Sequence, residues 1–368
     1  MTYLLNAWYV GAWSSEIGDT PVARTICERP IVMFRKADRT AVAIGNRCPH
    51  RFAPLDRGRL EGDTLQCGYH GLRFGADGRC VHNPHGDGEI GPRLHVPAYR
   101  VVERYDLVWI WLGDPDRADE SAIPDFACNV DPDFTRIDGV FEVKANYELV
   151  VDNVLDLSHA EFVHDGLLSS PAITASTLEI KRDGSTLWAN RWCPDGPAAP
   201  AWAVAFGNYD KPVDQWLYMR WDAPATLLLD VGLAPVGRPR SEGIWLYGMD
   251  IMTPKDAETT YYFWAFARNY AQDDPAVDEF WRTSVRIAFE QQDRDIVEAQ
   301  QAMIGNVDID SLLPGIISSD AAAIRARRLL RQMIRQQERT APPSPGGHRP
   351  LDLLAEHRDS ANPVEPVV

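Results

Sequence analysis

The sequence predicts an α+β protein in two parts: an all-β N-terminal region, then a larger region mixing strands with a few helices. Three observations point there. Short apolar runs broken by tight Gly- and Asp-containing turns fill about the first 115 residues. Helical apolar spacing appears only later, over 146–160, 277–303 and 321–339. Between the two lies a stretch rich in Asp, Pro and Ala, 114–132, that reads as a linker. The expected domains are 1–118 and 119–340, followed by a Pro-, Gly- and charge-rich flexible tail over 341–368.

In chain order, the runs 31–34 and 41–44 flank a turn-like segment at 36–40, a hairpin signal. The runs 65–74 and 79–81 flank Gly75-Ala76-Asp77-Gly78, a second tight turn. LVWIWL at 107–112 reads as a buried strand ending at Gly113-Asp114-Pro115. In the second part, 226–231 and 261–267 are strand-like, and Asp273-Asp274-Pro275 is a helix start for 277–303. The last helix, 321–339, carries Arg325, Arg327, Arg328, Arg331, Arg335 and Arg339, which reads as a solvated arginine face or as a surface for an acidic partner.

Composition narrows the function classes. Of 368 residues, 45% are hydrophobic and 24% charged, as in a soluble globular protein whose core is large enough to stand without disulfides. The net charge of −16 argues against a general nucleic-acid binder, and no run of about 18 apolar residues is present to span a membrane. MTYLLNAWYVGAW has neither a basic n-region nor a small-residue cleavage site, so a cytoplasmic protein is expected. The six cysteines (Cys27, Cys48, Cys67, Cys80, Cys128, Cys193) are too scattered for a secreted disulfide framework. No GxGxxG opens a helix after a strand and no P-loop occurs, so electrons for any redox chemistry must arrive from a separate protein.

Two constellations carry chemistry. The first is Cys48-Pro49-His50 and, with sixteen residues between His50 and Cys67, Cys67-Gly68-Tyr69-His70. Two thiolates and two imidazoles from two turns suit either a tetrahedral Cys2His2 zinc site or a Rieske [2Fe–2S] cluster. The Gly- and Pro-containing loops CPHRFAPLDRG and CGYHGLRFGADG favour the cluster, because such loops can aim backbone N–H groups at bridging sulfides. The second is His159 and His164, which with one carboxylate would make the facial triad of a non-haem Fe(II) oxygenase. Five residues apart on an unbroken helix, the two imidazoles would diverge by about 140°, so a helix break is expected near 160–162. Asp293 is the expected third ligand: Phe289 four residues before it and Ile296 and Val297 three and four after put it on an apolar face, and a carboxylate there needs a cationic partner. A buried salt bridge is the alternative, Glu290 and Glu298 are rival ligands, and Asp295 should be solvated. His82 and His85 read as loop or interface residues.

On these motifs the chain resembles the Rieske non-haem iron oxygenases. NAWYV, VVERYDLVWIWLGDP, VDNVLDLSHAEFVH and YFWAFARNY extend the resemblance to about residue 339, toward the vanillate and dicamba O-demethylase branch. One departure is Leu72, where many members have Trp after the second His-Gly.

The resemblance implies a Rieske domain followed by a helix-grip-like antiparallel sheet with helices, carrying a [2Fe–2S] cluster on Cys48, His50, Cys67 and His70 and a mononuclear Fe(II) on His159, His164 and Asp293. Asn153 would add a loose contact to that metal. Asp156 would bridge His159 to His70 of a neighbouring copy in a homotrimer, or else only orient His159. It also implies a terminal monooxygenase, fed by a reductase or ferredoxin with NAD(P)H as the source of electrons. The substrate would be a substituted, vanillate-like aromatic acid, hydroxylated at a methoxy or alkyl carbon with release of formaldehyde. N-dealkylation, methyl hydroxylation and ring hydroxylation use the same metals. A non-catalytic electron carrier or zinc-stabilised binding protein would need only the first constellation. Asp230 and Asp250 fall in regions that line the pocket in relatives, where an acid would suit a phenol, an amine or a cation; as turn or edge residues they would have no such role.

Overall fold

The computed structural model describes residues 3–340, so the expected tail lies outside the described residues. All strand pairs are antiparallel. In the N-terminal part, a six-stranded sheet runs Trp8–Trp13, Leu107–Trp111, Ala98–Arg104, Ala41–Gly45, Arg29–Arg35, Val22–Ile26. A four-stranded sheet follows chain order: Arg59–Glu61, Thr64–Gln66, Arg73–Phe74, Cys80–His82. The run expected over 65–74 is two short strands, because the loop carrying Cys67 and His70 interrupts it. Phe34, Val42, Leu55, Leu65 and Phe74 pack as one small core against Cys48 and Cys67.

Two glycines let the ligand loops touch backbone to backbone. A Cβ on Gly58 would stand 1.8 Å from the Gln66 carbonyl, and one on Gly68 would stand 2.8 Å from the Arg57 carbonyl. Gly58→Ala should therefore destabilise the N-terminal part by about 3 kcal/mol, read as an earlier thermal loss of the cluster's visible absorbance.

The second part is a seven-stranded sheet in the order Thr135–Val143, Thr260–Arg268, Ile244–Pro254, Thr226–Pro235, Val213–Asp222, Thr186–Gly196, Leu178–Asp183. The run 261–267 is apolar throughout because both faces of its strand are covered. Tyr261, Phe263 and Ala265 pack against Trp8, Trp13 and Trp109 of the six-stranded sheet, while Tyr262, Trp264 and Phe266 join the core that contains Trp281. Each such aromatic contributes about 2–3 kcal/mol by burial. The stretch read as a linker is packed rather than free. Ile123 and Phe126 are buried, Phe126 stacks on Trp109 (6.2 Å between ring centroids), and Trp8 Nε1 donates to the Asp119 carbonyl (2.7 Å).

Four longer helices matter for the site. α1, Tyr147–Leu155, starts on Asn146, whose side chain accepts from Glu148 N (2.9 Å). α2, Pro275–Ile287, starts on Asp274 with Pro275 in its first turn. α3, Arg294–Ile304, continues α2 through a π-helical turn over Ala288–Asp293. α4, Ala321–Thr340, is not simply a solvated arginine face: Arg327 lies 3.4 Å from Asp152, and Arg331 lies 3.0 Å from Asp308 and also pairs with Asp310. Burial nonetheless pushes the Asp152 carboxyl up to about 7 despite the opposing Arg327 charge. Among the described residues no helix is long and apolar enough to cross a membrane.

Candidate functional site

The two ligand loops of the first constellation are built alike. Cys48 N donates to the Ala53 carbonyl (2.9 Å) and Phe52 N to the Cys48 carbonyl (2.8 Å). In the second loop, Cys67 N donates to Leu72 O (2.8 Å) and Gly71 N to Cys67 O (3.1 Å). Each loop thus folds back over its cysteine, with a left-handed residue four positions on: Phe52 at φ 58° and Gly71 at φ 73°. Leu72 serves the loop through its backbone carbonyl, which any side chain would supply. Both thiols are buried, whereas the His50 ring is exposed and the His70 ring half-buried, with centroids 4.5 Å apart. Burial pushes the Cys48 thiol up to about 11, and the neighbouring Cys67 pushes the same way, against the backbone N–H of His50. A thiol so placed ionises only with a cation to bind, so the donor set fits an iron–sulfur cluster. The rim beside it is apolar and exposed, with Phe52 and Tyr69. His85 Nε2 lies 2.8 Å from the His70 carbonyl, tying the next loop down.

The second constellation converges as well. α1 stops at Asp156, earlier than the break expected near 160–162; His159 ends a short 3-10 turn, and His164 follows directly on the four-residue helix Ala160–Val163. Asp156 ends α1 because its side chain turns to accept from Ser158 N (3.1 Å) and Ser158 Oγ (2.5 Å). Ligand atoms of His159, His164 and Asp293 lie within 4.8 Å of one another. The separations are 3.3 Å between the two Nε2 atoms, 3.4 Å from His159 Nε2 to Asp293 Oδ1, and 3.2 Å from His164 Nε2 to Asp293 Oδ2.

The ring tautomers follow from the other nitrogens. His159 Nδ1 faces the Asp156 carbonyl at 2.6 Å and His164 Nδ1 faces Gln292 Oε1 at 2.9 Å, so each Nδ1 carries the donated proton. Each Nε2 then presents a lone pair to the other and to a carboxylate. Three converging lone-pair donors repel unless a cation stands among them, so the set fits a divalent metal. Burial raises the Asp293 carboxyl, but with no cation among the donors the rings protonate at Nε2 as well, and their hydrogen bonds and charges then hold it down at about 2. Burial likewise would lower His159, and Asp293 raises it on balance.

The surrounding residues differ in part from expectation. Asn153 Nδ2 donates to Asp293 Oδ1 (3.1 Å) and so orients that carboxylate. The His159 ring is held by the Asp156 backbone carbonyl, not by its carboxylate, which lies 3.9 Å from Arg191. Glu298 is occupied by Lys144 N (2.9 Å), Asp295 is exposed as expected, and Ile296 is exposed too. Asp230 is paired with Arg240 (2.7 Å) and Trp216 Nε1 (2.9 Å) and does not line the cavity, whereas Asp250 does. Gln292 escaped the sequence reading. Consecutive residues of an α-helix point about 100° apart, and only the wider π-helical turn lets Gln292 and Asp293 both serve the histidines. Gln292→Leu should weaken metal binding about 10- to 100-fold, measured by competition with a chelator.

His159, His164 and Asp293 also line an apolar cavity of about 90 Å³ between the sheet and the long helix, with Leu217, Val231, Leu246, Trp281 and Phe289. His159 and Asn153 further border a surface groove of about 780 Å³.

Comparison with known proteins matches residues 7–100 to the Rieske [2Fe-2S] domain and residues 143–336 to the vanillate O-demethylase oxygenase C-terminal domain. The chain is 38% identical to the oxygenase component of dicamba O-demethylase from Stenotrophomonas maltophilia, over 90% of this chain and 98% of that one. It is 37% identical to the oxygenase component of chloroacetanilide N-alkylformylase from Rhizorhabdus wittichii, over 92% and 97%. The crystal structure of dicamba monooxygenase with non-heme iron and dicamba superposes with a TM-score of 0.80 at 35% identity, covering 93% of this chain and all of the other.

Proposed function

The chain belongs to the Rieske oxygenases of the vanillate O-demethylase type, oxygenase components with a [2Fe–2S] cluster and a mononuclear iron, and on that premise we propose that it hydroxylates a methoxy or alkyl carbon of a substituted, vanillate-like aromatic compound. The observation that carries this reading is the apolar cavity closed by the His159, His164 and Asp293 donor set. When bound, the cluster supplies single electrons and the ferrous ion supplies dioxygen activation. The rest falls to the protein. Cys48, Cys67, His50 and His70 hold the cluster, and His159, His164 and Asp293 hold the iron with Asn153 and Gln292 fixing their orientation. Trp281, Phe289 and the sheet's leucines press an aromatic ring toward the metal and keep water out. Hydroxylation of a methoxy carbon gives a hemiacetal that collapses to a phenol and formaldehyde.

Residues 1–118 would then receive electrons and 119–340 would spend them. Reducing equivalents from NAD(P)H would arrive through a separate reductase or ferredoxin docking near the cluster end of the N-terminal part. We place Asp156 between His159 and His70 of a neighbouring copy in a homotrimer. N-dealkylation is the second reading, favoured by the equally similar chloroacetanilide N-alkylformylase.

The test is incubation of the iron-replete protein with a reductase, NADH, O2 and a panel of methoxybenzoates and methoxyphenols. Formaldehyde equimolar with NADH consumed is the expected result. A ring diol without formaldehyde would establish ring hydroxylation instead.

A further inference from the structure

Asp250 is the feature of the cavity that the chemistry above leaves unused. It is 3% exposed, on the interior strand Ile244–Pro254 of the seven-stranded sheet, and it lines the cavity together with the metal-binding trio. Its one hydrogen bond is from Tyr262 OH to Oδ1 (2.9 Å). Tyr262 stacks on Phe289 (5.9 Å between centroids), which stands four residues before Asp293 in the π-helical turn. A carboxyl group this deeply buried needs more than one partner. Among the described residues no Arg or Lys lines the cavity, and its only basic groups are the two imidazoles facing Asp293. The other buried polar side chain there, Gln215, sits opposite Leu233, itself opposite Ile244. Asp250 lies six residues farther along that strand, about 20 Å by strand rise, so a small ring seated against Asp250 does not reach Gln215.

Resting on the demethylase reading, we propose that Asp250 receives a hydrogen-bond donor, a phenol O–H or an N–H, carried on the ring position next to the carbon that is oxygenated, and that it excludes substrates with a carboxylate there. A ring carboxylate at that place would stand against Asp250 with no Arg or Lys in the cavity lining to pair with it, or would have to share a proton with Asp250. A donor completes the unfilled valence of Asp250 at no such cost. Burial already pushes the Asp250 carboxyl up to about 7, Tyr262 opposes this, and the charge of Asp293 adds to it, so a further anion would meet an environment that resists the first. Vanillate satisfies the rule, since its hydroxyl neighbours its methoxy group and its carboxylate lies across the ring.

Three probes decide it by isothermal titration of the iron-replete holoenzyme: 2-methoxyphenol, 2-methoxybenzoate and anisole. One hydrogen bond to a charged group corresponds to about tenfold or more, so 2-methoxyphenol should bind at least about tenfold tighter than either other probe. Equal binding of 2-methoxybenzoate would overturn the exclusion, and equal binding of anisole would overturn the donor. Asp250→Asn keeps a partner for Tyr262 and should narrow the 2-methoxyphenol preference over 2-methoxybenzoate at least about fivefold; an unchanged ratio would overturn the assignment to Asp250. Should that variant not fold, judged by its cluster absorbance, the three-probe comparison on the unmodified protein stands by itself. Tight binding of 2-methoxyphenol with no formaldehyde would refute the demethylase reading and leave this subsite intact, whereas equal formaldehyde yield per bound probe from 2-methoxybenzoate and weak discrimination would do the reverse.

Discussion

His159→Ala is expected to lower bound iron from about three to about two per chain, with both acid-labile sulfides and the red-brown absorbance of the cluster retained, and to abolish oxygenation. The residues proposed to hold the two metals are separate, so one site can be emptied alone. The cluster ligands lie between residues 48 and 70, in loops braced by their own backbone hydrogen bonds. The iron donors lie at 159, 164 and 293, on elements that pack against the seven-stranded sheet. Removing one imidazole leaves His164 and Asp293 too few to hold the ion in the presence of a chelator. The truncation should be tolerated by the fold, because the ring is partly exposed toward the groove and caps no helix. Elemental analysis and sulfide assay read both outcomes. Loss of the cluster colour together with the mononuclear iron would mean that the two sites are not independent.

Much of this site could be read in the residues because metal donors are few in kind and their spacing is constrained. Cys48-Pro49-His50 and Cys67-Gly68-Tyr69-His70 announce paired ligand loops, and a local turn is all that is needed to realise them. Asp293 was accessible for a different reason: a carboxylate flanked by Phe289 and Val297 at helical spacing is costly without a partner. What failed depended on departures from regular geometry. A continuous α-helix was expected through 277–303, and the π-helical turn that brings Gln292 to His164 has no apolar period of its own. The Asp/Pro/Ala composition of 114–132 masked two buried anchors, Ile123 and Phe126, whose partners lie on other strands. The arginines of α4 read as solvated because their partners, Asp152 on α1 and Asp308 and Asp310 in a distant loop, are brought near only by the tertiary fold. The family resemblance offers Asn153 to the metal, and its further tie, the amide nitrogen donating to Asp293, depends on a contact 140 residues away that no local pattern announces.

Asp156→Asn separates two roles that sequence alone leaves entangled. Had the carboxylate oriented His159, the substitution would disturb the iron. Instead the Asp156 backbone carbonyl holds the ring at 2.6 Å, a bond that asparagine preserves, and the asparagine oxygen can still accept from Ser158 N and Oγ. Iron content and cluster content should therefore remain those of the unmodified protein. If the carboxylate carries the connection to His70 of a neighbouring copy, its neutralisation removes a charge-assisted hydrogen bond worth about 1.5–3 kcal/mol, or about 10- to 100-fold in a step that passes through it. Stopped-flow reoxidation of the reduced cluster in the presence of substrate and O2 isolates that step from substrate binding. A slow cluster with full iron occupancy would establish the bridge. Reoxidation at the unmodified rate would refute it, and electrons would then have to reach His159 by another contact across the groove that His159 borders.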